Sequence, residues 1–193
     1  MRITGGKFCG HKLLSPSHQG LRPTSDMVRE ALFNILGDAV YEGKVLDLFA
    51  GSGALGIEAI SRGARAVYFV EQDHRGLHLL KNNLQRFPDI NAEVRVFPAD
   101  AFRILAKLSR EGEKFDLILI DPPYKANLWL RVLQNISQLT PLSEYGQIVL
   151  EIPKCNLLPD EIGKLIRIDK RVYGDVSLEF WKYKTNGADN QWL

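Results

Sequence analysis

Two periods of hydrophobicity alternate along most of the chain. Compact apolar runs at 45–49, 66–70, 93–97, 115–120 and 147–151 predict β-strands. Between them, 55–62, 74–86, 101–110 and 128–138 space apolar residues three and four apart, which predicts helices. The run Phe115-Asp116-Leu117-Ile118-Leu119-Ile120 is the most apolar and belongs at the centre of a sheet. Such alternation predicts a parallel sheet covered on both faces, with right-handed crossovers. Before the rhythm starts, Thr24-Ser25-Asp26 precedes Val28, Ala31, Leu32, Ile35 and Leu36, a helix with a polar N-cap that stops at Gly37. After it ends, β-rich runs at 165–173 and 176–183 flank Gly174-Asp175, the mark of a hairpin. The expected fold is α/β. Its sheet is central, mostly parallel and seven-stranded, ends in an antiparallel hairpin, and carries a small N-terminal extension.

Residues 1–23 hold Gly, Pro and Ser at short intervals and show no helical period. No repeat or low-complexity linker interrupts the chain, so residues 1–183 read as one domain, an arm over 1–24 and a body over 25–183. Residues 184–193 are polar and are expected to form a disordered tail. At 193 residues the chain can bury a full core without a disulfide or metal staple. Cys9 and Cys155, far apart in sequence, read as free thiols of a reducing, cytoplasmic protein. No apolar run has the length of a membrane helix, and the first residues lack a signal-peptide core, so no membrane partner is expected.

Charge changes the picture once it is divided. The net of +2 argues against a nucleic-acid partner. Residues 1–30, however, carry five basic groups against two acidic ones (+3), and the rest carries 20 against 21 (−1). A basic arm on a neutral body is the pattern of a protein that meets a polyanion at one end.

Between the first strand and its helix lies Asp47-Leu48-Phe49-Ala50-Gly51-Ser52-Gly53-Ala54-Leu55-Gly56. Gly51, Gly53 and Gly56 have the spacing of a dinucleotide fingerprint. In an open α/β sheet that loop sits where ligands bind. Glu71 ends the second strand, 20 residues after Gly51, and can accept from both hydroxyls of a ribose; Gln72 follows it. Asp47 is poor company for a pyrophosphate and suits a cationic ligand, which favours S-adenosylmethionine over NAD. Asp100, followed by Ala101, ends the third strand, where it can accept from an adenine amine or cap the next helix.

Asp121-Pro122-Pro123-Tyr124 directly follows the apolar fourth strand. Two prolines keep this backbone extended, so Asp121 and the Pro122 carbonyl enter the crevice as a fixed pair of acceptors. An exocyclic amine has two N–H donors for that pair, and Tyr124 offers a face for the base. Whether Asp121 takes the proton or only orients the amine stays open. His74 and His78 share the spacing of a zinc pair, but no third ligand accompanies them, and a solvated helix face is the simpler reading; no metal is expected. Tyr173, Phe180, Trp181 and Tyr183 alternate within the hairpin and read as packing residues.

Asp121 to Tyr124, together with Asp47 to Gly53, resembles the amino-group methyltransferases that use S-adenosylmethionine. Met1-Arg2-Ile3-Thr4-Gly5-Gly6-Lys7, Gly20-Leu21-Arg22-Pro23-Thr24, Val28-Arg29-Glu30-Ala31-Leu32-Phe33-Asn34 and Gly53 to Ala59 resemble, in matching order over about 1–183, the RsmD family of ribosomal RNA methyltransferases. That resemblance implies methylation of the 2-amino group of one guanine in 16S rRNA of the small ribosomal subunit. It implies a Rossmann-like methyltransferase fold. The protein is expected to be a monomer. It assigns Asp47, Phe49, Ala50, Gly51, Ser52, Gly53, Glu71, Gln72, Asp100 and Ala101 to the cofactor, and Asp121, Pro122, Pro123 and Tyr124 to the target amine. Lys7 and Arg22 would face RNA, and Thr24, Arg29 and Asn34 would border the cofactor or base. Readings left open are an amino-methyltransferase of adenine or cytosine in DNA, a dehydrogenase, and a non-catalytic RNA-binding relative.

Overall fold

The computed structural model describes residues 1–15, 26–123 and 128–184. One sheet runs through it in the order β3-β2-β1-β4-β5-β8-β7-β6. The parallel part comprises β1 (Lys44–Asp47), β2 (Ala66–Val70), β3 (Glu93–Phe97), β4 (Phe115–Ile120) and β5 (Leu142–Pro153). Antiparallel pairing then adds β8 (Val176–Tyr183), β7 (Leu165–Tyr173) and β6 (Glu161–Ile162). The sheet thus has eight strands, not the expected seven. The eighth, β6, has two residues, too few to show a period in sequence. It turns onto Leu165 through Gly163, which holds φ +58°.

The core divides along the sheet. Val45, Val67, Phe69, Leu117, Leu119 and Val149 point to one face, covered by α1 (Asp26–Leu36), α2 (Ala54–Ser61), α3 (His74–Gln85) and the arm. Leu46, Tyr68, Ile118, Ile120 and Ile148 point to the other, covered by α4 (Ala101–Arg110) and α5 (Leu128–Leu139). Burial on both faces is why these strands lack a polar alternation. Phe180 and Trp181 of the hairpin are buried in opposite cores, as alternation requires.

The N-terminal arm is a hairpin, bridged antiparallel at Arg2 and Lys12, and it is packed rather than loose. Ile3, Phe8 and Leu13 join the core beside α1 and α2. Its anchor is Glu58 of α2, fully buried on a helix whose only other polar side chain is Ser61. Glu58 accepts from the Thr4 amide (2.9 Å) and hydroxyl (2.7 Å), from Arg29 Nε (3.2 Å) and from Arg62 Nε (3.0 Å). Arg29 is equally buried, and its guanidinium also reaches Asp26 (3.0 Å) and the Arg2 carbonyl. Next to this, a side chain on Gly6 would overlap the Ser61 carbonyl, so the close approach of arm to helix requires glycine.

A buried ion pair that loses one partner leaves the other charge uncompensated, at about 3–5 kcal/mol. Glu58→Gln is therefore expected to destabilise the protein by about that much in denaturant unfolding. A loss below about 1 kcal/mol would show that water reaches Arg29.

Candidate active site

The strand order reverses between β1 and β4, which places a crevice at their carboxyl ends. The glycine loop leaves β1 there. Gly51 (φ +53°) and Gly53 (φ +82°) both take the left-handed conformation, and Gly53 serves as the N-cap residue of α2. Asp47 lies beneath the loop at 1% exposure and accepts from the Gly56 amide at 2.9 Å. Burial pushes its carboxyl up to about 7, against the Gly56 hydrogen bond, and the nearby Glu71 charge adds to the rise. Asp47 thus shapes the loop from inside instead of lining the crevice surface, which was not evident from the motif alone.

Glu71 stands at the end of β2. One carboxylate oxygen accepts from the Gly51 amide (2.7 Å), the other from the Asp73 amide (2.6 Å). Each oxygen keeps a further acceptor site, so the carboxylate both braces the loop and can still receive hydroxyls. A Cβ on Gly51 would meet nothing within 4 Å, so the loop faces open space. Phe49 and Ser52 are half-buried, Ala50 is buried, and Gln72 is exposed. Asp100 caps α4 through the Arg103 amide (3.1 Å) and stays exposed, ahead of buried Ala101.

Beside the loop, β4 delivers Asp121. The register pairs Asp47 with Leu119, and the Leu48 amide donates to the Leu119 carbonyl (3.0 Å). Asp121 therefore emerges two residues further on, level with Phe49 at the mouth of the same crevice. It is half-buried, Pro122 is buried and Pro123 exposed. Tyr124, Arg22 and Thr24 lie outside the described residues, as do 185–193 of the expected tail; Lys184 is described and its amide donates to the Lys164 carbonyl (2.9 Å).

The remaining expected substrate residues are placed elsewhere. Arg29 is wholly buried in the Glu58 clasp, so its guanidinium is not presented to a base or cofactor. This corrects the expectation: the charge is spent neutralising a buried carboxylate. Asn34 is exposed, and its side-chain oxygen accepts from Arg62 (3.4 Å) at the rim of that clasp. Lys7 is exposed at the arm's turn, with Nζ donating to the Asp89 carbonyl (2.8 Å). Among the described residues no group of three His, Cys, Asp or Glu could hold a metal ion. His78 instead contacts Asn82 (3.0 Å).

One residue escaped the sequence reading. Asn83 of α3 is fully buried, and its amide donates to the carbonyls of Leu14 (3.0 Å) and Ser52 (2.8 Å) while its oxygen accepts from the Leu14 amide (2.7 Å). It ties the arm to the glycine loop. The only sequence signal was a polar residue in the apolar row Leu80, Asn83, Phe87. Asn83→Ala strands three backbone groups and is expected to cost about 1–3 kcal/mol, with faster hydrogen exchange at the Leu14 amide. Unchanged exchange there would mean that the arm is held without it.

The glycine loop at a switch point, an acidic residue after β2 and Asp-Pro-Pro after β4 define the Rossmann-like fold of S-adenosylmethionine-dependent methyltransferases. The family model described as "Conserved hypothetical protein 95" matches residues 1–182, and the chain belongs to that family, the RsmD family. It is similar to the ribosomal RNA small subunit methyltransferase D of Escherichia coli K12, 34% identical over 98% of this chain and 93% of that one. Among solved structures it is similar to yhhF of Escherichia coli, with a TM-score of 0.82 and 30% identity over 95% of this chain and 98% of that one. SMU.776, solved with SAH, shares the fold: TM-score 0.65 and 20% identity over 84% of this chain and 50% of that one.

Proposed function

We propose that the protein transfers a methyl group from S-adenosylmethionine to the exocyclic 2-amino group of a guanine in 16S rRNA of the small ribosomal subunit. The observation that carries this reading is the side-by-side emergence, at one switch point, of a carboxylate-lined glycine loop and the Asp121-Pro122-Pro123 turn. The name of the Escherichia coli relative supports the ribosomal RNA of the small subunit as substrate. In this reading the protein is a single-domain monomer of the cytoplasm, a compartment that the free thiols Cys9 and Cys155 fit. No helix among the described residues is long and apolar enough to cross a membrane.

The residues present fit the cofactor. Buried Asp47 and the Glu71 carboxylate make the loop electronegative, which suits a sulfonium and an α-ammonium and disfavours a pyrophosphate. Glu71 would hold the ribose hydroxyls, Gly51 to Gly53 the methionine side, and Asp100 with Ala101 the adenine. The bound cofactor supplies an electrophilic methyl group. Asp121 and the Pro122 carbonyl accept the two N–H groups of the base amine, so its lone pair is turned outward to attack. Attack of the nitrogen on the methyl carbon would break its bond to sulfur, leaving the neutral thioether, and the amine's proton would pass to the Asp121 carboxylate or to solvent. Positioning of the amine is the chain's main contribution, because in-line transfer needs alignment more than a strong base.

Asp121→Ala is expected to abolish transfer of labelled methyl to small subunits that lack the modification, while calorimetric affinity for S-adenosylmethionine stays within a few-fold. Activity surviving in Asp121→Ala would remove it as the amine acceptor, and a label mapped to adenine or cytosine would replace the guanine reading.

The raised Asp47 value predicts a pH dependence. A cation favours the ionised carboxylate, so cofactor binding below pH 7 expels a proton. Affinity should rise as pH climbs through about 7 and then level off. For the cofactor-free protein the sign is opposite. With the folded value above the ordinary 3.8, stability falls from about pH 4 to about pH 7 and is flat above. Asp47→Asn should flatten both profiles in calorimetry and thermal unfolding; a retained slope would assign it to another group.

A further inference from the structure

The segment from His74 to Phe87 contains Arg75, Lys81 and Arg86 and no acidic residue. On α3 and its C-cap, Arg75, His78, Asn82 and Arg86 recur at intervals of three and four, which aligns them in one stripe. All but half-buried Asn82 are exposed. Asp73 is occupied in capping the helix through the Gly76 amide (2.8 Å). Among the described residues, Arg75, Lys81 and Arg86 have no carboxylate partner. Arg95, Arg167, Lys170 and Arg171 on the sheet, by contrast, are each ion-paired. These three cations are not needed to balance local charge.

The stripe also has two fixed ends. At the Arg75 end, Gly76 backs onto the Glu71 carboxylate, where a Cβ would stand 3.1 Å from its carboxyl carbon. That end is therefore at the cofactor crevice. At the Arg86 end, Phe87 packs on Phe8 (ring centroids 4.8 Å apart) and His11 (5.8 Å), beside Lys7 and its Asp89 contact. That end is at the turn of the arm. The neighbouring row of the helix, through Asn83, is the one that grips Leu14. By helical rise the stripe is about 16 Å long.

We propose that this stripe on α3 is a docking track for the phosphate backbone of the substrate RNA, continuous with the arm and leading to the crevice. The inference rests on the ribosomal RNA reading above. Arg75 and Arg86, three helical turns apart on one face, can each meet a phosphate of the same strand, with His78 and Asn82 facing the backbone between them. The track carries position and affinity, and leaves base choice to the crevice.

The test uses the full chain, small subunits lacking the modification, and Arg75→Gln, Arg86→Gln and the double variant. Each substitution should lower the slope of log affinity against log salt by about 0.7–0.9, and the double variant by about twice that. KM for the subunits should rise several-fold, with kcat and S-adenosylmethionine affinity unchanged. Arg110→Gln, on α4 across the sheet and exposed, is the control and should leave the slope alone. A slope unaltered in the double variant would overturn the track, and so would an equal change from Arg110→Gln, which would mark a general charge effect. Failure of the unsubstituted enzyme to methylate rRNA would overturn the functional reading and the track together.

Discussion

A carboxylate buried in a largely apolar helix cannot stay alone, and Glu58 decides where the arm goes. Neutralising it draws in Arg29 from α1, and saturating its remaining acceptor sites draws in Thr4 from the arm and Arg62 from the end of α2. Three segments distant in sequence meet on one side chain. The apolar contacts of Ile3, Phe8 and Leu13 then cover the cluster, which excludes water and strengthens the pairing further. A buried ion pair of this kind adds less to stability than to uniqueness. It admits one placement of arm against body.

A pair of carboxylates beside it is left in the opposite condition. Asp47 at the end of β1 and Glu71 just after β2 are satisfied by backbone amides, Asp47 by Gly56 of α2 and Glu71 by Gly51 and Asp73, with no cation on them among the described residues. Their mutual repulsion is part of what lifts the Asp47 carboxyl. The clasp is electrostatically closed and the crevice electrostatically open, which sets the two clusters apart in physical terms.

Much of this was legible in sequence, for reasons that differ by element. β1, β2 and β4 were visible because burial on both faces leaves few polar residues to blur them, and the edge strand β3 through its alternating valines. The Gly174 turn exposed the hairpin. β5 begins at Leu142, five residues before the apolar run suggested, because Glu144, Tyr145 and Gly146 hide its first half. β6 is held by tertiary pairing alone. In the site, the glycine loop, Glu71 and Asp121 were readable because each is tied to a strand end. Arg29 was misread, since a basic residue in a family signature looks the same whether it meets a ligand or a buried acid. Glu58 and Asn83 gave the converse signal, polar residues on apolar helix faces, and that signal names a buried partner only once the partner is in place.

The arm's contacts also bear on the order in which the chain can assemble. Thr4 and Leu14 are made early in synthesis, yet their partners stand 54 and 69 residues later, and Lys7 reaches 82 residues ahead. The arm leaves the ribosome before the segments that hold it, and its docking must wait for α2 and α3, because such long loops close only once both ends exist. Until then a strand-like stretch bearing Ile3, Phe8 and Leu13 stays uncovered. Arg2, Lys7 and Lys12 are interspersed with those apolar residues, the placement by which flanking charges disfavour association of an uncovered strand.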